Sequence, residues 1–173
     1  LQEVPDIAKA APVISANGLT YTFEIRKDAK FSNGDPITAD DFLYSWNRAA
    51  GKQGDYATLF QPIAGYQAVA DGRATKMSGL VKLDDYSFTT TLTRPTGYWM
   101  ASVGLWPFWV VDQKVIATAG DLVWFTNPQT LIGSGPFRMT ARSSGHALAF
   151  VSAAHWSGGA VGAPPPEPVA VCL

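Results

Sequence analysis

The sequence holds one cysteine, Cys172, and two histidines, His146 and His155. It has no run of basic residues and no long apolar run. Each scarcity removes a class of function. One cysteine can form neither an internal disulfide nor a cysteine-based metal site. The two histidines lack the i, i+4 spacing of a paired metal ligand, so no metal site is expected. Net charge is −1, and the thirteen lysines and arginines are scattered. That gives no basic surface for nucleic acid or for an anionic membrane. A membrane helix needs ~20 apolar residues. The richest stretch, Tyr98 to Ile116, is broken by Gly104, Pro107, Asp112 and Lys114, so no membrane insertion by this segment is expected. The opening LQEVPDIAKAAP has no basic stretch followed by an apolar one, and the first residue is not Met. The expectation is a processed chain, or one whose beginning lies elsewhere.

Catalytic patterns are equally scarce. Gly-x-Ser-x-Gly is absent, as are a phosphate loop and a dinucleotide fingerprint. Gly133-Ser134-Gly135 runs into Pro136 and a strand, not from a strand into a helix. The adjacent carboxylates Asp40-Asp41 and Asp84-Asp85 point apart, whereas a glycosidase needs two acids facing across a bond. They read as a helix cap and a turn. No catalytic residue and no cofactor is expected, and the chain is not read as an enzyme.

What the sequence does have is aromatic residues within a globular composition. Hydrophobic residues make up 47% and charged residues 16%, which suits a folded core. There are six Trp, six Tyr and nine Phe. Trp99, Trp106, Phe108 and Trp109 gather around Pro107. Aromatics at helical spacing belong in cores. A loop interrupted by proline is less typical of a core, so Trp106 and Phe108 are candidates to face a ligand.

The order of elements reads as α+β. Thr20 to Arg26 alternates, with Tyr21, Phe23 and Ile25 on one face, after an Asn17-Gly18 turn. Ser32-Asn33-Gly34-Asp35-Pro36 is a turn. Thr38 is a candidate N-cap, with Asp41 in the capping-box position. The helix that follows carries Phe42, Leu43, Trp46, Ala49 and Ala50 on one stripe, and Gly51 is expected to stop it. Residues 55–70 read as helical, interrupted at Pro62 and Gly65. A hairpin is expected from Leu80 to Thr93 around Asp84-Asp85. Helix, aromatic loop and helix span 98–119, and 121–132 is irregular. A second hairpin is expected from Phe137 to Ser152, turning at Ser143-Ser144-Gly145. From Ser157 on, Gly, Ala and Pro dominate, and a tail without regular structure is expected over 160–173.

Residues Tyr21 to Phe42, through Lys27-Asp28-Ala29-Lys30-Phe31-Ser32-Asn33-Gly34-Asp35-Pro36-Ile37-Thr38-Ala39-Asp40-Asp41, resemble the signature of family 5 extracytoplasmic solute-binding proteins. These are the peptide, dipeptide and nickel receptors of ABC importers. Tyr44-Ser45-Trp46-Asn47-Arg48 extends the resemblance and is most similar to the oligopeptide-binding branch. Looser matches follow in order at Ile63 to Tyr66, Val81 to Phe88, Gly133 to Phe137 and His155 to Gly159. After Gly159 the resemblance ends.

The resemblance implies a partial periplasmic-binding-protein-like fold of class II type. Only the first lobe is expected, with mixed sheets and packed helices. Its parts would be a lead-in over 1–13, a β-rich subdomain over 14–120, part of the main sheet over 121–159, and the tail. It implies capture of an oligopeptide between two lobes, with delivery to the membrane permease subunits of an ABC importer. The place would be the periplasm, or the outer face of the cytoplasmic membrane through a lipid anchor. Tyr56 matches a tyrosine that contacts ligand in the oligopeptide branch. Trp106 and Phe108, with Gly133, Ser134 and Gly135, are weaker candidates. Family members are several times longer, and the resemblance places the second lobe outside this sequence. A carbohydrate-binding module that uses the aromatic loop stays open as an alternative, as does a nickel or opine receptor of the same family.

Strands 137–152 would leave unpaired edges, which invite association. The chain alone is therefore expected to be marginally stable or to self-associate. Sedimentation and thermal melting test this, and a monodisperse monomer with a high melting temperature counts against it.

Overall fold

Tyr21, Phe23 and Ile25 lie on the buried side of a sheet, as their alternation predicts. The structure is a computed structural model that describes residues 4–143, 147–156, 158 and 170–172. It divides into two compact units: Leu1–Arg26 with Thr38–Val110, and Lys27–Ile37 with Val111–Leu173.

In the first unit, β1 (Val13–Ile14), β2 (Thr20–Glu24), β3 (Leu80–Asp84) and β4 (Ser87–Thr91) form an antiparallel sheet in the order β1-β2-β4-β3. Phe23 stands opposite Phe88, with the rings stacked at 5.2 Å. Phe88, Thr90 and Leu92 share the buried face. Strand β2 ends at Glu24, earlier than expected. Ile25 instead bridges Ala8 and donates its N–H to the Tyr86 carbonyl at 2.7 Å. The β3–β4 turn comes one residue later than expected. Asp84 stays in β3, and its carboxylate accepts the Tyr86 N–H at 2.8 Å, a side-chain turn that carries the chain around Asp85.

Helix α1 (Ala39–Lys52) starts where the capping box puts it, and Asp41 accepts the Thr38 N–H at 2.9 Å. Its predicted stripe packs on the sheet: Trp46 and Ala50 are buried, with Phe42, Leu43 and Ala49 beside them. The end differs from expectation. Gly51 remains helical, and Gln53 takes the left-handed conformation with φ 51°. The Gln53 side-chain amide donates to the Ala50 carbonyl, so a side chain closes the helix instead of a glycine. Lys82 of β3 reaches Asp40 at 2.7 Å and Asp85 at 2.8 Å. Hydrogen bonds to Asp40 and then Asp85 hold its ammonium well above the ordinary lysine pKa. The two adjacent acid pairs are thus a cap and a turn, tied together by one cation.

The helical stretch over 55–70 resolves into a 3-10 turn at Ala57–Phe60 and α2 (Tyr66–Ala70). Further on come α3 (Trp99–Val103) and a second 3-10 turn, Trp106–Phe108. The expected aromatic loop is therefore a helical turn. Pro107 sits at its start, where a missing N–H costs nothing.

The second unit holds α4 (Gln113–Ala119) and an antiparallel sheet, β5 (Phe137–Ser143), β6 (Ala147–Ser152) and β7 (Ala170–Cys172), in the order β5-β6-β7. Residues 121–132 carry no helix or strand, as expected. His146, the turn at Ser144-Gly145, Ser157 and Gly159, and most of the tail (160–169 and 173) lie outside the described residues. The remaining tail corrects an expectation. Ala170–Cys172 is not irregular but pairs with β6, Ala147 opposite Cys172. Composition hides this strand because β6 supplies the edge that makes it one. β6 is therefore paired on both sides, unlike the edge anticipated from the sequence.

The Ser32 to Asp35 turn is the hub of this unit. Ser32 donates its N–H to the Gly133 carbonyl at 2.8 Å. Asn33 donates to Asp112 at 2.9 Å, and Lys114 to Asp35 at 3.1 Å. Asp112 is buried and caps α4 by accepting the Lys114 and Val115 N–H groups at 2.9 and 3.2 Å. Gly34 has φ +94°, and a Cβ there would meet His155 Nε2 at 3.0 Å. Positive φ and a neighbouring ring both demand glycine. Gly34→Ala is expected to lower stability by roughly 1–3 kcal/mol, read as a shift in the urea midpoint.

Candidate functional site

Two short turns of the first unit are clamped together by aromatic rings. The turn Ala57–Phe60 buries Phe60, and the turn Trp106–Phe108 buries Phe108, which is 2% exposed. Their ring centres lie 4.2 Å apart. At the other end of each turn stands an exposed aromatic. Tyr56 is 49% exposed, Trp106 is 52% exposed, and their rings meet edge to face at 4.8 Å. One pair of rings anchors the turns and the other projects from them.

Trp46 fixes the anchor. Its ring lies against Phe108 at 5.1 Å, Phe88 at 5.5 Å and Phe23 at 6.1 Å. Its indole N–H donates to the Phe108 carbonyl at 2.8 Å in a fully buried bond. Trp99 packs on the same group, 5.5 Å from Phe108, but its buried N–H has no hydrogen-bond partner among the described residues.

The structure thus brings Tyr56 and Trp106 together and places Phe108 in the core. Phe108, expected to face a ligand, has its ring in the core. The reason is local: a 3-10 turn has three residues per turn, so Trp106 and Phe108 cannot both point outward. Leucine-sized and aromatic neighbours widen the exposed surface: Trp109, Tyr98 and Leu105 are also exposed. The sequence did not reveal Trp46 as a hydrogen-bond donor to this turn, since its partner is 62 residues away. Removing that donor strands a buried carbonyl. Trp46→Phe is expected to cost about 3 kcal/mol and Trp99→Phe about half as much, because only the first also loses a bond. Chemical denaturation of the two variants makes the comparison.

Gly133, Ser134 and Gly135 belong to the second unit. Gly133 exchanges bonds with Ser32, donating its N–H to Ser32 Oγ at 3.4 Å. The chain then enters β5, and the Pro136 carbonyl accepts the Ala153 N–H at 2.8 Å. Neither Gly133 nor Gly135 has positive φ, and a Cβ at either would meet nothing within 4 Å. Among the described residues no group of three or more His, Cys, Asp or Glu is placed to hold a metal, and no helix is long and apolar enough to cross a membrane.

Comparison with known proteins gives this geometry a context. Residues 2–167 match the model for bacterial extracellular solute-binding proteins, family 5 Middle. The chain is 36% identical over 130 residues to the dipeptide-binding protein DppE of Bacillus subtilis (strain 168), which covers 73% of this chain and 24% of that protein. Among solved structures it is similar to the substrate-binding domain of an oligopeptide ABC transporter from Bacillus anthracis str. Ames. The TM-score there is 0.81 at 28% identity, over 88% of this chain and 30% of that one. It is also similar to Listeria monocytogenes OppA bound to peptide, with TM-score 0.78 at 29% identity, over 87% of this chain and 30% of that one. The fold is therefore part of a periplasmic-binding-protein-like fold, mixed in helix and sheet as the sequence predicted. The chain spans about a quarter of the length of the curated relatives it matches, 24% in the case of DppE. These residues belong to the bacterial extracellular solute-binding proteins, family 5.

Proposed function

We propose that this chain is part of the substrate-binding component of an ABC importer and supplies one wall of a site that captures oligopeptides outside the cytoplasmic membrane. The observation that carries the reading is the exposed Tyr56–Trp106 pair, held rigid by the buried Phe60–Phe108 pair. Half-exposed rings on fixed backbone are a preorganised binding surface, because little freedom is lost when a ligand arrives. Membership in a family of solute-binding proteins supports binding and not turnover. The relatives named for dipeptides and oligopeptides support a peptide over nickel, an opine or a sugar.

In this reading Tyr56 and Trp106 touch the ligand, and Phe108 anchors the turn that carries Trp106. Gly133, Ser134 and Gly135 form a second contact. Their glycines are required neither by conformation nor by packing among the described residues, which leaves the backbone open to close approach by a peptide strand. The ligand would be clasped against the rest of a longer protein by hinge closure. The partners are then the permease subunits of the importer. The place is the periplasm, or the outer face of the membrane through a lipid anchor. Residues 14–120 would act as a β-rich subdomain and 121–159 as part of the main sheet.

The test is calorimetry on the protein expressed with the coding sequence that adjoins this chain. A pool of tri- to pentapeptides is expected to bind, and Trp106→Ala to weaken binding at least tenfold, the usual loss at a buried aromatic anchor. Maltotriose is expected to give no heat. Heat from maltotriose with none from peptides replaces the peptide reading with a carbohydrate one.

A further inference from the structure

The second unit contains a half-open cleft of about 250 Å³. Its floor is apolar: Pro128, Leu131, Ile132 and Met139. Its polar groups divide into two kinds. Ser32 and Asn33 are already engaged, with Gly133 and with Asp112 and Asp35. Arg138 and Gln129 are exposed, and neither side chain has a hydrogen-bond or ion-pair partner among the described residues. The cleft thus sets a guanidinium with no partner among the described residues beside an apolar floor. The cation asks for a planar anion, which it can meet with two parallel hydrogen bonds. The floor asks for an apolar body next to that anion.

Size narrows the class further. Water occupies about 30 Å³ in the liquid, so the cleft has room for roughly eight waters. That is room for a group about the size of one amino-acid side chain and its carboxylate. The backbone under the cation is fixed, since Arg138 pairs with Val151 inside the β5–β6 ladder. We propose that this cleft binds a small carboxylate carrying an aliphatic body, with Arg138 holding the carboxylate, Gln129 adding a donor, and Leu131 and Ile132 receiving the body. The lining belongs wholly to the second unit, whereas Tyr56 and Trp106 belong to the first.

The test is a proton–nitrogen correlation NMR titration of this chain with N-acetyl-L-leucine. N-acetyl-L-leucinamide, which keeps the body and lacks the charge, is titrated alongside. The acid is expected to shift the amides of Gln129, Ile132 and Met139 saturably. The uncharged amide is expected to bind about tenfold more weakly, the scale of one charge-assisted hydrogen bond. Arg138→Gln should bring the acid to the level of the amide while leaving its melting temperature unchanged. Equal affinity for acid and amide, undiminished acid binding in R138Q, or no saturable shift at all overturns the proposal. Should R138Q disturb the fold, the acid-against-amide comparison on the unaltered chain decides alone.

Discussion

The hydrogen bond from Trp46 to the Phe108 carbonyl is the constraint on which the first unit depends. A buried carbonyl must find a donor, and an indole must both fill space and place its one N–H. Meeting both demands at one point fixes the helix against a turn distant in sequence. Phe60 then closes on Phe108, and the exposed rings fall into place above. The neighbours of Trp46 along α1 do related work. Ser45 donates to the Asp41 carbonyl at 2.6 Å, and Asn47 accepts the Met77 N–H at 2.7 Å. The Tyr44 to Arg48 run is therefore largely a set of fasteners, and the exposed surface is built by residues far from it.

The second unit has a different kind of centre. Its hub is a four-residue turn in which each residue contributes in its own way. Ser32 and Asn33 bond to later segments, Gly34 makes room for an imidazole, and Asp35 takes a lysine. This accounts for the density of turn residues in one short stretch. A turn that merely reverses the chain needs only its own backbone preferences. One that anchors α4 and the entry to β5 needs particular side chains as well.

Much of this was legible in the sequence, for physical reasons that can be named. The alternation of Tyr21, Phe23 and Ile25 and the stripe of α1 report burial directly, because period follows geometry. Thr38 and Asp41 mark a cap that uses only local atoms. Local signals also misled. Gly51 looked like a stop, but the Gln53 side chain provided a later one. Phe108 and Trp106 looked alike in sequence, and only the turn's handedness and the position of Trp46 separate the buried ring from the exposed one. Strand β7 had no signal of its own, since a strand of three residues exists only through its neighbour. The cleft beside Arg138 was equally silent, because its lining comes from segments whose proximity no local pattern encodes.

The discontinuity of the second unit has a consequence for synthesis. Its hub is made before its partners, which are 79 residues further on at Asp112 and 101 further on at Gly133. At typical elongation rates, a hundred residues take roughly 5–20 s. Throughout that interval the hub lacks the two residues it is bonded to in the finished fold. The segment that organises the unit is thus also one that is made long before the residues it organises.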